Sequence, residues 1–540
     1  MHEAAYVLAA FALGSQLLAL VRDRLLASTF GASQTLDVYY AAFRIPDFLF
    51  ATVASLLSLY ALLPVLSRLE QKHQGLVVSF LRQALFVFFV VMGAVAGVLY
   101  ITAPWVVPWV VPGITHPDLV SLVRILLLQP ILLGASNVIA ALTQMRHRFF
   151  LYAVSPLLYN IGIIVGVVAL YPYMGIAGLG WGVVLGAALH LLVQLPFFCK
   201  EKTQQTLPVR AAGKELLGVL ALSLPRTLTL SAGQLSLLLL VGVASYFTAG
   251  SIAVFMFAYS LQAVPLTIIG VSYSVAAFPT LASLHAAGER AAFARYVEVA
   301  LRHIFFWSIP ATIMVVVLRA QLVRVILGAG AFSWDATRLT AAALALFIVS
   351  LAAQSATMLI ARAYYAAGNT RKPLYFAAAG VLTTVGSALL FVQVFLSSDM
   401  VRAFVETLLR VNGVPGTVVL MLALGAAVGA SVQFVYGFVL CMRDFNLSRS
   451  IYTLLFQSFA ASVIGGAVAY GVLAATGAVG TINTALGLIV QGAMGGVAGL
   501  LTTALVLWLL GNQELAETLG AFKRRFGGTP PQLETTDISS

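Results

Sequence analysis

Six ionisable side chains fall within 26 positions of a chain otherwise poor in charge: Arg22, Asp23, Arg24, Asp37, Arg44 and Asp47. They lie in or beside two long apolar runs, where a lone charge facing lipid costs several kcal/mol. Guanidinium groups bind phosphates through paired hydrogen bonds. Such a cluster therefore suits either an anion site in a wet cavity walled by apolar helices or a set of interfacial anchors. Arg22 and Arg24 are about 200° apart on a helix, so one can face inward while the other pairs elsewhere. Asp37 and Arg44 are seven residues apart, or two turns, and share a face. Asp37 is expected either to meet the dipole of its own helix as a first-turn carboxylate or to pair with Arg22 or Arg44. Arg44, with Tyr39 and Tyr40 before it and the kinking Pro46 after it, is the stronger binding candidate.

The elements that carry these residues belong to a membrane. The 540 residues are 61% hydrophobic and 9% charged, and the mean hydropathy is +1.00. A soluble chain of this length needs a polar skin over several domains, and this composition cannot supply one. The net charge of +12 is spread singly and in small clusters between apolar runs, which argues against a nucleic-acid partner. Two cysteines, Cys199 and Cys441, fit neither a disulfide framework nor a metal site. The N-terminus has His2 and Glu3 where a basic leader would stand, so the first apolar run is expected to remain as a helix.

At about 20 apolar residues per crossing, the sequence predicts fourteen transmembrane helices, from 4–27 and 36–65 through to 451–475 and 482–511. The runs are too long for barrel strands, so the expected class is an all-α polytopic membrane protein. With both termini in the cytoplasm, nineteen of the 30 Lys and Arg residues fall in inside connections and five in outside ones. The other six are Arg22, Arg24, Arg44, Arg124, Arg226 and Arg362, within or at the edges of spans. A short amphipathic helix is expected after Gly511, resting on the inner leaflet through Leu515, Leu519 and Phe522 and followed by a disordered end.

TLDVYYAAFRIPDFL, from Thr35, resembles SIAVFMFAYSLQAVP, from Ser251. Each begins the second helix of a six-helix set, which predicts two lobes in parallel repeat about a central cavity. The expected division is an N-terminal lobe at 1–200, a C-terminal lobe at 215–441, two further helices at 451–511 and a cytoplasmic tail at 512–540.

Arg226, with Gln234 about two turns further along, and Arg362 near the inner end of the tenth span are the basic candidates of the second lobe. Arg362 is expected either to snorkel to the inner headgroups or to join the phosphate site. The chain shows no carboxylate dyad, no HExxH spacing and no GxxxxGK[ST] loop. No enzyme chemistry and no cofactor are expected; transport requires only differential binding in two conformations.

The segments RDRLLASTFGASQTLDVYYAAFRIPDFL, PRTLTLSAGQLSLLL, FMFAYSLQAVPLTIIGVSYSVAAFPTLA and LIARAYYAAGNTRKPLY resemble the MurJ/MviN family of lipid II flippases, within the multidrug/oligosaccharidyl-lipid/polysaccharide exporter superfamily. The resemblance implies a V-shaped transporter that moves a lipid-linked peptidoglycan precursor from the inner to the outer leaflet of the cytoplasmic membrane by alternating access. It implies substrate contacts at Arg22, Asp37 and Arg44, beside the candidates Arg24, Arg226, Gln234 and Arg362. It also implies resetting by membrane potential or a monovalent ion gradient, and partners among membrane lipids and peptidoglycan-synthesis proteins. The chain departs from the family pattern at Ser15-Gln16 (Ser-Arg), at Pro46-Asp47-Phe48-Leu49-Phe50-Ala51 (PNLLRR) and at Ala258-Tyr259-Ser260-Leu261 (YADRL). Two alternatives stand beside a lipid II flippase. One is an exporter of another lipid-linked saccharide or polyprenyl-phosphate compound, the other a non-transporting scaffold in envelope synthesis.

Overall fold

The computed structural model describes residues 2–57, 59–72, 74–201, 207–448, 450–478 and 484–526, and every regular element among them is helical. Helices α1 (His2–Phe30), α2 (Gln34–Ala42), α3 (Arg44–Thr52) and α4 (Leu59–Lys72) lead into the long α5 (Gln74–Val110). Then come α6 (Asp118–Leu126), α7 (Leu128–Met145), α8 (Phe149–Val165), α9 (Tyr171–Met174), α10 (Ile176–Leu192) and α11 (Leu195–Lys200). The middle of the chain holds α12 (Val209–Ala244), α13 (Ser251–Leu266), α14 (Ser272–Ala286), α15 (Arg290–Leu327), α16 (Trp334–Ile348) and α17 (Leu351–Ala366). The last are α18 (Arg371–Ser397), α19 (Asp399–Leu409), α20 (Val419–Phe445), α21 (Ser450–Ala478), α22 (Ala485–Leu509) and α23 (Gln513–Phe526).

Among the described residues eleven helical stretches are long and apolar enough to cross a membrane, or thirteen if each of two bent pairs counts as one span. Those thirteen fall on the second to fourteenth expected spans, and α1 occupies the first as one 29-residue helix. One bent pair breaks at Val53, after α3, and the other at Val349 and Ser350, between α16 and α17.

The helices form two compact units interleaved along the chain. The first comprises Met1–Val264, Val323–Ser350 and Gly368–Gly437, and the second Pro265–Leu322, Leu351–Ala367 and Phe438–Ser540. In the first unit an apolar core of α4, α5 and α7 side chains, including Leu62, Leu66, Phe80, Leu81 and Leu142, is almost fully buried.

In the first unit α8 and α10 approach backbone to backbone. A methyl at Gly182 would stand 2.3 Å from Gly166 Cα, and one at Gly186 would stand 2.3 Å from the Tyr159 carbonyl oxygen. Small residues four apart let membrane helices close on dispersion alone, and this pairing places Tyr159 and Asn160 for the site below. Gly182→Leu should prise the two helices apart at a cost of about 1–3 kcal/mol. The check is the melting temperature in detergent, which should fall by several degrees; an unchanged value would refute this packing.

The two repeated segments start side by side within the first unit. Asp37 and Ala253 occupy equivalent positions 216 residues apart, and the Ala253 N–H donates to Asp37 Oδ1 at 2.8 Å. One turn further in, the rings of Tyr40 and Phe257 meet edge to face at 5.8 Å between centroids. Gly250 must lack a side chain here: its φ is +90°, and a Cβ would stand 2.3 Å from the Ala32 carbonyl oxygen.

The second unit packs α21 and α22 as a tight pair, with Gly465 against Thr503 and Gly499. The amphipathic helix after Gly511 is present as α23. Leu515, however, is buried with Phe306, Ala461 and Leu507 instead of facing the leaflet. Glu514 pairs with Arg302, and Glu517 lies 3.5 Å from His303, so the helix is tied to α15. Leu519 is exposed, while the Phe522 side chain and the expected disordered end lie outside the described residues. Helix α19 was not expected. It is too short to read as a span, but Ser398 caps it, and Met400, Phe404 and Leu408 form an exposed apolar stripe at four-residue spacing.

Candidate functional site

Four of the six charged residues of the first two spans assemble into two Arg–Asp pairs in the first unit. Near the end of α1, Arg22 folds back on its neighbour, with Nε and Nη2 donating to Asp23 Oδ1 at 2.9 and 2.8 Å. Its third bond, from Nη1, reaches Asn160 Oδ1 on α8 at 3.0 Å. Asn160 is itself held through its Nδ2, which donates to the Pro156 carbonyl at 3.1 Å and to Ser15 Oγ at 3.4 Å. Arg22 thus faces α8, the assignment that helical spacing alone could not make. Its side chain is 22% exposed and that of Asp23 5%.

Arg44 begins α3. Its Nε donates to the Tyr40 carbonyl across the helix break at 3.1 Å, and its Nη2 lies 3.2 Å from Asp47 Oδ2. The Arg44 side chain is 5% exposed and that of Asp47 27%. Gln129 on α7 stands near Asp47, and its Nε2 donates to the Tyr159 hydroxyl at 3.2 Å. Gln129 Oε1 and the Tyr40 hydroxyl are buried without a hydrogen-bond partner among the described residues.

Arg22 and Arg44 each carry an aspartate, so neither is a bare cation.

Asp37 pairs with neither Arg22 nor Arg44. Its carboxylate accepts the Gly250 N–H at 2.5 Å and the Ala253 N–H at 2.8 Å, neutralising the open N-terminus of α13. Its first-turn position in α2 is as expected. Arg24 is exposed and donates to the carbonyls of Val325 (2.5 Å) and Ile326 (3.2 Å), at the C-terminal end of α15. A cation suits a helix C-terminus, so Arg24 and Asp37 both engage helix ends.

Arg226 and Gln234 are half-buried on α12. Between them Thr227 takes a hydrogen bond from Ser55 Oγ at 3.1 Å, and Ser231 Oγ donates to the Ala51 carbonyl at 3.2 Å, which fastens α12 to the end of the second span. Arg362 lies in the second unit. Its Nη1 donates to Ser274 Oγ at 2.6 Å and to the Val271 carbonyl at 3.3 Å, bracing α17 on α14.

Beside the Arg44–Asp47 pair, α3 borders an apolar cavity of about 590 Å³. Ile45, Phe48, Leu49 and Thr52 line it together with side chains of α5 and α12. At about 100° per residue these four lie roughly a third of a turn from the charged pair. Among the described residues no group of three or more His, Cys, Asp or Glu is placed to hold a metal ion.

Charge was the signal that led to Arg22 and Arg44. Asn160, Gln129, Ser15 and Tyr159 were missed because they carry none, although an amide inside an apolar span is itself costly unless satisfied.

The fold is that of a helical transporter. A solved structure of "Lipid II flippase MurJ, inward closed conformation" aligns over 94% of this chain and 99% of its own, with TM-score 0.74 and 20% identity. An inward-facing multidrug resistance MATE family transporter of the MOP superfamily aligns over 81% of this chain and 96% of its own, with TM-score 0.63 and 15% identity. The family model for lipid II flippase MurJ matches residues 26–403, well over half of the chain, and the chain belongs to that family. Its relatives include the lipid II flippase MurJ of Burkholderia cenocepacia, 26% identical over 73% of this chain and 78% of that protein. A probable lipid II flippase MurJ of Thermotoga maritima is 26% identical over 85% of this chain and 89% of its own. The chain is thus a multi-pass membrane transporter of the flippase type, serving cell-wall biogenesis, and not an enzyme.

Proposed function

We propose that the protein moves lipid II, a lipid-linked peptidoglycan precursor, from the inner to the outer leaflet of the cytoplasmic membrane by alternating access. One observation carries the reading: α3 presents a buried Arg–Asp pair on one face and borders an apolar cavity on the next. That juxtaposition suits an amphiphile with an anionic headgroup and a hydrocarbon chain. Arg22 and Arg44 are assigned to the headgroup, with Arg226 and Gln234 as further contacts on α12. Asp37 and Arg24 serve as helix-end clamps that hold one conformation, and Arg362 braces the second unit. Fourteen spans in two six-helix lobes, both termini in the cytoplasm and resetting by membrane potential or a monovalent ion gradient complete the proposal. The side-by-side start of α2 and α13 supports the parallel repeat.

The paired carboxylates of Asp23 and Asp47 favour a second reading, in which the cargo is another lipid-linked saccharide or polyprenyl-phosphate compound of lower charge.

The test is depletion of the protein followed by complementation, with outer-leaflet lipid II as the readout. Wild type should restore it. Arg44→Ala should insert normally yet flip at least about tenfold less, the loss expected when one charge-assisted contact goes. Flipping at the wild-type rate in Arg44→Ala would remove Arg44 from the site. Full-level lipid II after depletion alone would overturn the function.

A further inference from the structure

The two Arg–Asp pairs differ in how completely they are made. Arg22 spends three N–H donors, two on one Asp23 oxygen and one on Asn160. Its partner Asp23 is 4% exposed. Arg44 spends one donor on a backbone carbonyl and one on Asp47, at the longer distance of 3.2 Å. A guanidinium has five N–H donors in a fork that matches a phosphate or carboxylate edge on. Three donors of Arg44, including both on Nη1, have no acceptor among the described residues, although the side chain is only 5% exposed. Unspent donors on a buried cation mark a place where an acceptor belongs. Asp47 is the wetter partner at 27% exposed, and the Gln129 amide stands near its carboxylate. It can therefore leave Arg44 without being stranded.

We propose that Asp47 is a displaceable counter-ion: the headgroup phosphate takes its place on Arg44, and the aspartate, staying close by, weakens the hold so that cargo can be released. The inference rests on the anionic-headgroup reading above. Its physics is competition. An arriving phosphate must first break the Arg44–Asp47 contact, an equal penalty for every anionic ligand. Once bound, it still lies within a few ångströms of the displaced carboxylate, and that repulsion grows with the ligand's charge. Asp47 thus lowers affinity for all phosphates and lowers it most for the most highly charged. Arg22, with three of its five donors engaged, also fixes α1 against α8 beside its headgroup role.

The experiment measures binding of a polyprenyl pyrophosphate and a polyprenyl monophosphate to the purified full chain, with the neutral polyprenyl alcohol as control, alongside flipping rates. Asp47→Asn keeps the shape and removes the charge. It should bind the pyrophosphate about tenfold more tightly, gain less for the monophosphate, and flip more slowly because release becomes limiting. Adding Arg44→Lys should abolish the gain, since an ammonium lacks the fork. Asp47→Ala, with its melting temperature recorded, guards against a folding defect: a variant as stable as wild type should also bind more tightly. Unchanged or weaker pyrophosphate binding by Asp47→Asn, while wild type prefers the phosphates to the alcohol, overturns the counter-ion role and leaves the headgroup reading standing. No preference in wild type overturns both.

Discussion

Asp37→Ala should destabilise the protein by about 2–3 kcal/mol, because it removes a carboxylate that accepts charge-assisted hydrogen bonds at a helix N-terminus. The Gly250 and Ala253 N–H groups lose an acceptor at 2.5 and 2.8 Å. The site is 5% exposed, so water is poorly placed to substitute. Because the bonds tie α2 to α13, they are present only when those two helix ends stand together. Removing them shifts any equilibrium between joined and parted ends by roughly 30- to 150-fold toward the parted form. Transport should fall even where the protein is well inserted. Asp37→Asn keeps one acceptor oxygen and should lie between alanine and wild type. The measurements are melting temperature in detergent and flipping in complemented cells. An Asp37→Ala protein that melts with wild type would show that the contact contributes nothing.

The second large effect is expected at Arg22. Asp23 is 4% exposed, and among the described residues its carboxylate is paired only by Arg22. Arg22→Ala leaves that charge buried and uncompensated, at a cost of about 3–5 kcal/mol. It also deprives Asn160 Oδ1 of its donor. The double variant Arg22→Ala/Asp23→Ala removes both charges and should recover much of the stability while flipping stays low. Recovered stability without recovered flipping separates the arginine's part in transport from its part in balancing charge. If the double variant were no more stable than Arg22→Ala, the buried-charge account would fail. Arg22→Lys should fall between, since one ammonium cannot copy the fork that spans Asp23 and Asn160.

The membrane spans were legible in the sequence because each reports on itself: an apolar run of the right length needs no partner to be recognised. The cluster was legible only in part. Arg22 and Arg44 stood out because charge inside such runs is expensive. What each arginine bonds was hidden, because the answer lies at Asn160, far along the chain, or in a helix break that lets Arg44 reach both Tyr40 and Asp47. Asp37 was legible only in its first-turn position in α2, whereas the groups that hold it are backbone amides 213 and 216 residues away. Bare amides have no side-chain signature, so pattern reading cannot find them. Helix α19 escaped for the opposite reason, since a one-sided apolar stripe of eleven residues falls short of a span.

The meeting of Asp37 with the start of α13 also bears on how the chain is made. The carboxylate and the amides that hold it stand 213 and 216 residues apart in the chain. The joint therefore cannot close until both segments have been synthesised, and the acid waits without its partners while the helices between them are built.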